Sequence, residues 1–199
     1  MLWIVTGGVG SGKTAFARRL AEALGREAIW LTCPAFPDDP AIVPARLGDS
    51  PKPDSSLRLA TLDADADLAR KLQEINLSSN PFRIDQRVVV FDGLAGWLRR
   101  RLAFGAEEAA MDPGHLAAQL DAALDEIVEA ILAFAGRRIV VTEEPAAGLA
   151  GGLWERWYAT RLSAANMRLA SACDGMHRLT AGVAAELKGL RTKRGIFQK

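Results

Sequence analysis

The chain has 199 residues, of which 49% are hydrophobic and 25% charged, as in an ordinary globular domain. This length suits one domain with a real core, and the composition excludes a disordered chain. A net charge of +1 means that nucleic acid and anionic membranes are not the expected partners. Two distant cysteines exclude a disulfide framework and no apolar run is long enough to cross a bilayer, so we expect a cytoplasmic protein.

The first part of the chain alternates predicted strands and helices. Apolar runs at residues 2–6 and 28–32 predict buried strands, and residues 15–24 between them predict a helix. Residues 33–56 are dense in proline, aspartate, glycine and serine, which predicts a long irregular loop. Residues 63–74 predict a further helix.

The remainder of the chain continues this alternation. Residues 88–91 predict a third strand, followed by a short amphipathic helix that holds Trp97. A long helix is expected to begin at Asp112 and Pro113, because aspartate caps helices and proline suits their first position, and to end at Gly136. The last predicted elements are a strand at residues 139–142, a helix at 154–172 and two weaker strands at 176–180 and 183–187.

A phosphate-binding loop follows the first predicted strand. Residues 7–14 read GGVGSGKT and fit the P-loop pattern G-x-x-x-x-G-K-S/T. Glycines let successive backbone N–H groups turn toward a phosphate, Lys13 brings a positive charge to the β- and γ-phosphates, and the hydroxyl of Thr14 can ligate Mg²⁺. The candidate nucleotide-binding residues of this loop are Gly7, Gly8, Val9, Gly10, Ser11, Gly12, Lys13 and Thr14.

The P-loop motif lies between a predicted strand and a predicted helix, and strands and helices alternate along the rest of the chain. Together these two features predict the fold. We expect an α/β fold of the P-loop NTPase type, with a mainly parallel sheet flanked by helices. A single nucleotide-binding domain is expected over residues 1–189, with a frayed basic tail over residues 190–199.

Acidic residues follow two of the later predicted strands. Asp92 comes directly after residues 88–91, where a carboxylate can hold Mg²⁺ or its water, because ligands of parallel sheets bind at the carboxyl ends of strands. The alternative is a turn residue, since Asp-Gly is common in turns. Glu143 and Glu144 follow the strand at 139–142 at the same edge, either with one of them facing the site or as two solvated loop acids.

Further motifs follow the P-loop in a set order. They are Trp30-Leu31-Thr32-Cys33 with Asp38-Asp39, Asp92-Gly93-Leu94 with Trp97-Leu98, Val141-Thr142-Glu143-Glu144 with Gly148-Leu149, Asn166 with Arg168-Leu169-Ala170, and Lys188. In this combination the chain resembles, over about residues 2–188, the adenosylcobinamide kinase / adenosylcobinamide-phosphate guanylyltransferase family of cobalamin biosynthesis. The segment Val141-Thr142-Glu143-Glu144 resembles the family's Thr-Asn-Glu segment.

The resemblance implies a kinase that uses GTP or ATP with Mg²⁺ to phosphorylate the aminopropanol hydroxyl of adenosylcobinamide, a corrinoid. Lys13 would then stabilise the transferring phosphoryl group, and Thr14 and Asp92 would serve the metal. By resemblance Glu144 is a base or a substrate contact. Because known members are described as trimers, the resemblance also implies a homotrimer. Three more residues are implied as nucleotide contacts: Thr32, Cys33 and Asp63.

The family's second activity moves GMP from GTP onto the new phosphate through a histidine-bound intermediate. The histidine should closely follow an Arg-Ile pair, which corresponds here to Arg46-Leu47, yet residues 48–52 contain no histidine. His115 and His177 lie outside that loop: His115, in the first turn of a predicted helix, is expected to be a solvated or capping residue, and His177 to be structural. Since serine and aspartate do not easily replace imidazole in a phosphoramidate, we predict that no guanylyl adduct forms.

Two other functions remain open at this point. One is a P-loop kinase or NTPase for a different small molecule, since substrate choice would lie in the loop where this chain departs most from the family. The other is a nucleotide-binding regulatory protein that has lost transfer chemistry, which the missing histidine favours and the intact Lys13 and Thr14 oppose.

Overall fold

The computed structural model describes residues 1–33, 57–78, 86–145 and 152–189. Within these ranges the strands are β1 (Leu2–Gly7), β2 (Glu27–Thr32), β3 (Arg58–Asp63), β4 (Arg87–Asp92), β5 (Arg137–Val141), β6 (Gly175–Thr180) and β7 (Val183–Lys188). The helices are α1 (Lys13–Leu24), α2 (Leu68–Ser78), α3 (Leu94–Phe104), α4 (Ala106–Met111), α5 (Pro113–Ala133) and α6 (Leu153–Ala172). None of the helices in these ranges has both the length and the apolar character needed to span a membrane.

The described strands form one sheet in the order β3-β2-β4-β5-β1-β6-β7. All neighbouring pairs are parallel except β6 and β7, which form an antiparallel hairpin. The β1 strand lies inside the sheet between β5 and β6, so the loop that follows it emerges from a fully paired strand. The expected α/β fold with a mainly parallel sheet is confirmed.

Helices cover both faces of the sheet because the side chains of each buried strand alternate between two apolar clusters. On one face, Val5 of β1 packs with Ala17 and Ala21 of α1 and with alternate valines of β4. On the other face, Ile4 belongs to a larger cluster with Trp97 of α3 and with the apolar sides of α2, α5 and α6. The near-continuous apolar runs of β1 and β4 follow from this burial on both faces.

The helix predicted at residues 63–74 is wrong in its first part. Asp63 ends strand β3, and the helix α2 begins only at Leu68 and runs to Ser78. Every residue of β3 is exposed, and the strand pairs with β2 at the edge of the sheet. Because an exposed edge strand has no buried face, its sequence carries no alternating apolar pattern, and pairing with β2 defines it.

The other predicted elements occur with shifts of a few residues at their ends. The long helix α5 begins as expected, since the Asp112 side chain accepts a hydrogen bond from the His115 backbone N–H at 3.0 Å. The sequence does not indicate helix α4, because none of its six residues is buried and no apolar periodicity marks them. The predicted loop falls outside the described residues except at Cys33, and the tail at residues 190–199 lies outside them entirely.

Candidate functional site

The glycines of the P-loop give the backbone the turns that it needs between β1 and α1. Gly7, Gly10 and Gly12 have positive φ angles of 151°, 72° and 92°. The Ser11 N–H donates to the Gly8 carbonyl at 3.2 Å, and the Phe16 N–H donates to the Gly12 carbonyl at 3.0 Å. The loop therefore delivers the N-terminus of α1, the positive end of the helix dipole, to the carboxyl edge of the sheet.

The β6–β7 hairpin supports this loop from one side. Its turn residue Gly182 donates its N–H to the Ser11 carbonyl at 3.1 Å. A Cβ built on Gly12 would lie 3.7 Å from the Gly182 Cα. Gly7 itself is paired with Leu179 of β6. The hairpin, which was only weakly indicated by the sequence, thus positions the phosphate loop.

Lys13 is folded back onto the loop. Its Nζ donates to the carbonyls of Gly7 at 3.0 Å and Gly8 at 2.7 Å, and it forms an ion pair with Glu143 Oε1 at 3.5 Å. The Lys13 side chain is only 11% exposed. A buried cation requires such partners, and a bound phosphate would offer the same ammonium group a stronger one.

Three sequence-predicted candidates lie in one row at the carboxyl edge of neighbouring strands. Thr32 of β2 is in register with Asp63 of β3 on one side and with Asp92 of β4 on the other. The Cys33 N–H donates to the Asp92 carbonyl at 3.3 Å. Burial raises the pKa of the Cys33 thiol, so this residue presents a neutral thiol rather than a thiolate.

Asp92 is separated from the P-loop strand by one strand. It is in register with Val141 of β5, which in turn is in register with Val5 of β1. Two strand spacings amount to about 10 Å, which is the distance across the sheet between Asp92 and the end of β1. The segment that follows β5 fills the interval between them.

Glu143 occupies that interval, and the sequence alone did not distinguish it from Glu144. One Glu143 oxygen pairs with Lys13, and the other accepts a hydrogen bond from Arg99 Nη2 at 2.6 Å. Glu144, the residue proposed from the sequence, instead pairs with Arg178 at 3.5 Å, and both of these side chains are about half exposed.

Two residues that the sequence did not assign to the site, Arg99 and Asn166, hold Glu143. The α3 helix buries Leu94 and Trp97 and leaves Arg99 at the edge of the sheet, with its guanidinium carbon 5.4 Å from the centre of the Tyr158 ring. Burial and the Glu143 carboxylate raise the pKa of Tyr158 against the opposing effect of Arg99, so the phenol stays protonated. No local pattern marks Arg99, because its partner lies 44 residues away in the chain.

An open cleft of about 520 Å³ lies beside the P-loop. It is bounded by the loop, by the segment after β5 and by the β6–β7 hairpin. Its lining residues are Gly7, Gly8, Val9, Gly10, Ser11, Glu144, Pro145, Arg178, Leu179, Thr180 and Ala181. Glu144 and Arg178 therefore face the same space as the phosphate loop.

The donors at this edge suit Mg²⁺ held mainly by a nucleotide. Within the described ranges no group of three or more histidine, cysteine, aspartate or glutamate side chains could hold a metal ion by itself. Thr14, in the first turn of α1, supplies a hydroxyl, and Asp92 supplies a carboxylate. Mg²⁺ typically takes one or two protein oxygens together with phosphate oxygens and water, and this donor set fits that requirement.

The fold and this loop define a P-loop nucleotide-binding protein of the α/β class. Among solved structures, an ATPase of the type III secretion system of pathogenic bacteria is similar at 14% identity with a TM-score of 0.50, covering 90% of this chain. The chain spans about half of that ATPase, 51% of its length. The RadB recombinase is similar at 17% identity with a TM-score of 0.45, over 89% of this chain and 73% of its own. These likenesses concern the fold alone.

A family model identifies the chain more specifically than its fold does. The family model described as cobinamide kinase / cobinamide phosphate guanyltransferase matches residues 3–187, nearly the whole chain. The chain belongs to this family, as its motifs predicted. No curated protein matches the chain.

Proposed function

We propose that the protein is a nucleotide-dependent kinase of adenosylcobinamide in cobalamin biosynthesis. It transfers the γ-phosphoryl group of GTP or ATP to the corrinoid side-chain hydroxyl. The observation that carries this proposal is the complete P-loop of a family member, with the mostly buried Lys13 side chain beside the loop carbonyls and a cleft open next to it. Membership of the cobinamide kinase family supports the corrinoid as the acceptor.

The proposed roles follow from charge and position. Lys13 turns from the Gly7 and Gly8 carbonyls to the β- and γ-phosphates and stabilises the charge that develops during transfer. Glu144, in the cleft beside the loop, contacts the acceptor. The nucleotide is contacted by Thr32 and Asp63, at the carboxyl ends of β2 and β3, and by Cys33, directly after β2. Catalysis then comes mainly from positioning and electrostatics.

Mg²⁺ bound with the nucleotide would be held by Thr14 and Asp92. When bound, the ion would offset the negative charge of the β- and γ-phosphates. The protein's part is to present these two oxygens at the carboxyl edge, from the start of α1 and the end of β4.

A turnover assay tests the proposal. Nucleoside diphosphate release from GTP and from ATP is measured with and without adenosylcobinamide, and the corrinoid product is followed by mass spectrometry. We expect turnover that depends on adenosylcobinamide. Turnover at the same rate with and without the corrinoid would favour a kinase or NTPase for another molecule. Tight nucleotide binding without any turnover would favour a regulatory protein.

We also propose that the guanylyltransferase step is absent. The sequence supports this, because the segment after Arg46-Leu47 has no histidine; that segment lies outside the described residues. His115 has local partners: its backbone N–H donates to the Asp112 side chain at 3.0 Å, and its ring contacts Glu108 of α4 at 2.7 Å. After incubation with GTP and Mg²⁺, intact mass measurement at mildly alkaline pH should show the unmodified protein, and a gain of one GMP would contradict the proposal.

The remaining expectations concern the protein as a whole. We propose one nucleotide-binding domain over residues 1–189, a homotrimer and a cytoplasmic location. Light scattering after size-exclusion chromatography measures the oligomer directly, and a monomeric mass would contradict the trimer.

A further inference from the structure

The carboxylate of Glu143 lies between two cations beside the phosphate loop. Its Oε1 is 3.5 Å from Lys13 Nζ and its Oε2 is 2.6 Å from Arg99 Nη2. The Glu143 side chain is 18% exposed, whereas Arg99 is 47% exposed. A carboxylate this buried must be paired, and each of its oxygens has one cationic partner.

The backbone on which Glu143 stands is fixed by a second set of contacts. Asn166 of α6 donates its side-chain N–H to the Glu143 carbonyl at 2.8 Å and accepts from the Thr142 hydroxyl at 2.8 Å. The buried Thr142 also donates its backbone N–H to the Val5 carbonyl at 2.9 Å. Glu143 is therefore held in place relative to β1, the strand that carries the P-loop.

Nucleotide binding would exchange one partner of this carboxylate. The three N–H donors of Lys13 already face the carbonyls of Gly7 and Gly8 and the Glu143 carboxylate, so engaging a phosphate weakens these contacts, of which the one to Glu143 is the longest at 3.5 Å. Arg99 can keep the other oxygen, so Glu143 retains one cationic partner and stays in place next to the terminal phosphate. A carboxylate oxygen released by Lys13 is then free to accept a hydrogen bond from whatever hydroxyl approaches that phosphate.

We propose that Glu143 is the residue that accepts the proton of the acceptor hydroxyl, with Arg99 and Asn166 as its positioning residues. This inference rests on the proposed kinase function and assigns a role that the sequence had given, by resemblance, to Glu144. Glu143 pairs with the P-loop lysine itself, while the half-exposed Glu144 pairs with Arg178 across the neighbouring cleft.

Phosphoryl transfer to the acceptor forms one bond to phosphorus and breaks another. The acceptor hydroxyl oxygen forms a bond to the γ-phosphorus, and the bond from that phosphorus to the β,γ-bridging oxygen breaks. The nucleoside diphosphate leaves with the electron pair of the broken bond. The hydroxyl proton passes to a Glu143 oxygen and from there to solvent. Transfer to a positioned carboxylate contributes roughly 100-fold to 10,000-fold in such reactions.

The test compares Glu143→Gln with Glu144→Gln and with the control Glu129→Gln. Glu129 is an exposed residue of α5 that pairs with Arg168, and its substitution removes the same charge away from the cleft. For each variant, kcat and KM are measured for phosphoryl transfer to adenosylcobinamide, nucleotide affinity is measured by calorimetry, and the melting temperature is recorded. Glutamine keeps the shape of glutamate and an oxygen for Arg99, so Glu143→Gln should fold.

We expect Glu143→Gln to lower kcat at least about 100-fold while nucleotide affinity stays the same or rises, since a negative charge next to the triphosphate is removed. Glu129→Gln should behave as wild type. The proposal is overturned if Glu143→Gln turns over like Glu129→Gln, if it loses affinity or melting temperature in step with kcat, or if Glu144→Gln loses more kcat. A wild type that does not phosphorylate adenosylcobinamide at all would overturn the proposed function itself, and this inference with it.

Discussion

Alanine at Gly7 tests how the phosphate loop is packed against the β6–β7 hairpin. The φ angle of Gly7 is +151°, and a Cβ built there would lie 2.4 Å from the Leu179 carbonyl oxygen and 2.7 Å from Ser11 Oγ. The Leu179 oxygen belongs to the backbone of the strand paired with β1, so it cannot move alone. Overpacking of this kind costs about 1–3 kcal/mol, and the unfavourable φ adds about 1 kcal/mol. We expect a loss of about 2–4 kcal/mol in the free energy of unfolding.

Two neighbouring glycines of the same loop provide matched controls. Gly10 has a φ of +72° but nothing within 4 Å of an added Cβ, so Gly10→Ala should lose only the backbone contribution of about 1 kcal/mol. Gly8 has neither a positive φ nor a close neighbour, so Gly8→Ala should be neutral or stabilising by about 0.4–1 kcal/mol. The three variants should therefore rank Gly8→Ala, Gly10→Ala and Gly7→Ala in order of falling stability.

Urea and thermal unfolding followed by circular dichroism measure this ranking. For a protein of this size, 1 kcal/mol corresponds to about 2–4 °C, so Gly7→Ala should melt roughly 5–15 °C below Gly8→Ala. If Gly7→Ala proves as stable as Gly8→Ala, the loop does not rest on the Leu179 backbone and the account of its support by the hairpin is wrong.

Three further predictions concern the site and the start of α2. Lys13→Ala should weaken GTP and ATP binding at least tenfold, about 1.4 kcal/mol by calorimetry, and equal affinity would remove the loop's assigned role. Asp92→Asn should lower phosphoryl transfer far more than Mg²⁺-free nucleotide binding, whereas normal turnover at limiting Mg²⁺ would leave it a turn residue. Although burial opposes it, the Lys71 ammonium and the Asp67 N–H lower the pKa of Asp65, whose contribution is therefore present at neutral pH and lost as the pH falls below about 4. Because Asp65 is half exposed, Asp65→Asn should lower stability at pH 7 by only about 0.5 kcal/mol, and urea unfolding at pH 7 and pH 3 should show that difference shrinking.

Local signals explain which parts of the fold could be predicted. The buried strands β1, β2, β4 and β5 are short apolar runs, and the P-loop is one continuous segment whose chemistry requires its glycines and Lys13. The carboxyl-edge position of Asp92 follows from parallel strand topology. The exposed strand β3 could not be predicted, because only its pairing with β2 makes it a strand. As a result, the predicted helix at residues 63–74 begins too early, at the residue where β3 ends.

The carboxylate next to Lys13 shows where sequence reasoning stops. Glu143 and Glu144 are adjacent, and nothing local decides which one leaves β5 toward the P-loop. The choice depends on Asn166, which lies 23 residues beyond Glu143 and binds its carbonyl, and on Arg99, which precedes it by 44 residues. Both contacts exist only once α3 and α6 have packed on the same face of the sheet.

The packing of α3 and α6 also determines how the charges of the site are balanced. The P-loop brings together a mostly buried lysine and a helix N-terminus, both positive, and the Glu143 carboxylate offsets their charge. A bound triphosphate would place several negative oxygens beside Glu143, which then needs a cationic partner of its own. Arg99 can be that partner whether Lys13 contacts Glu143 or the triphosphate, since it pairs with Glu143 and its half-exposed side chain keeps the guanidinium hydrated. The Arg99–Glu143 pair can therefore persist while Lys13 changes partners, which is the condition that a carboxylate must meet to act beside a bound nucleotide.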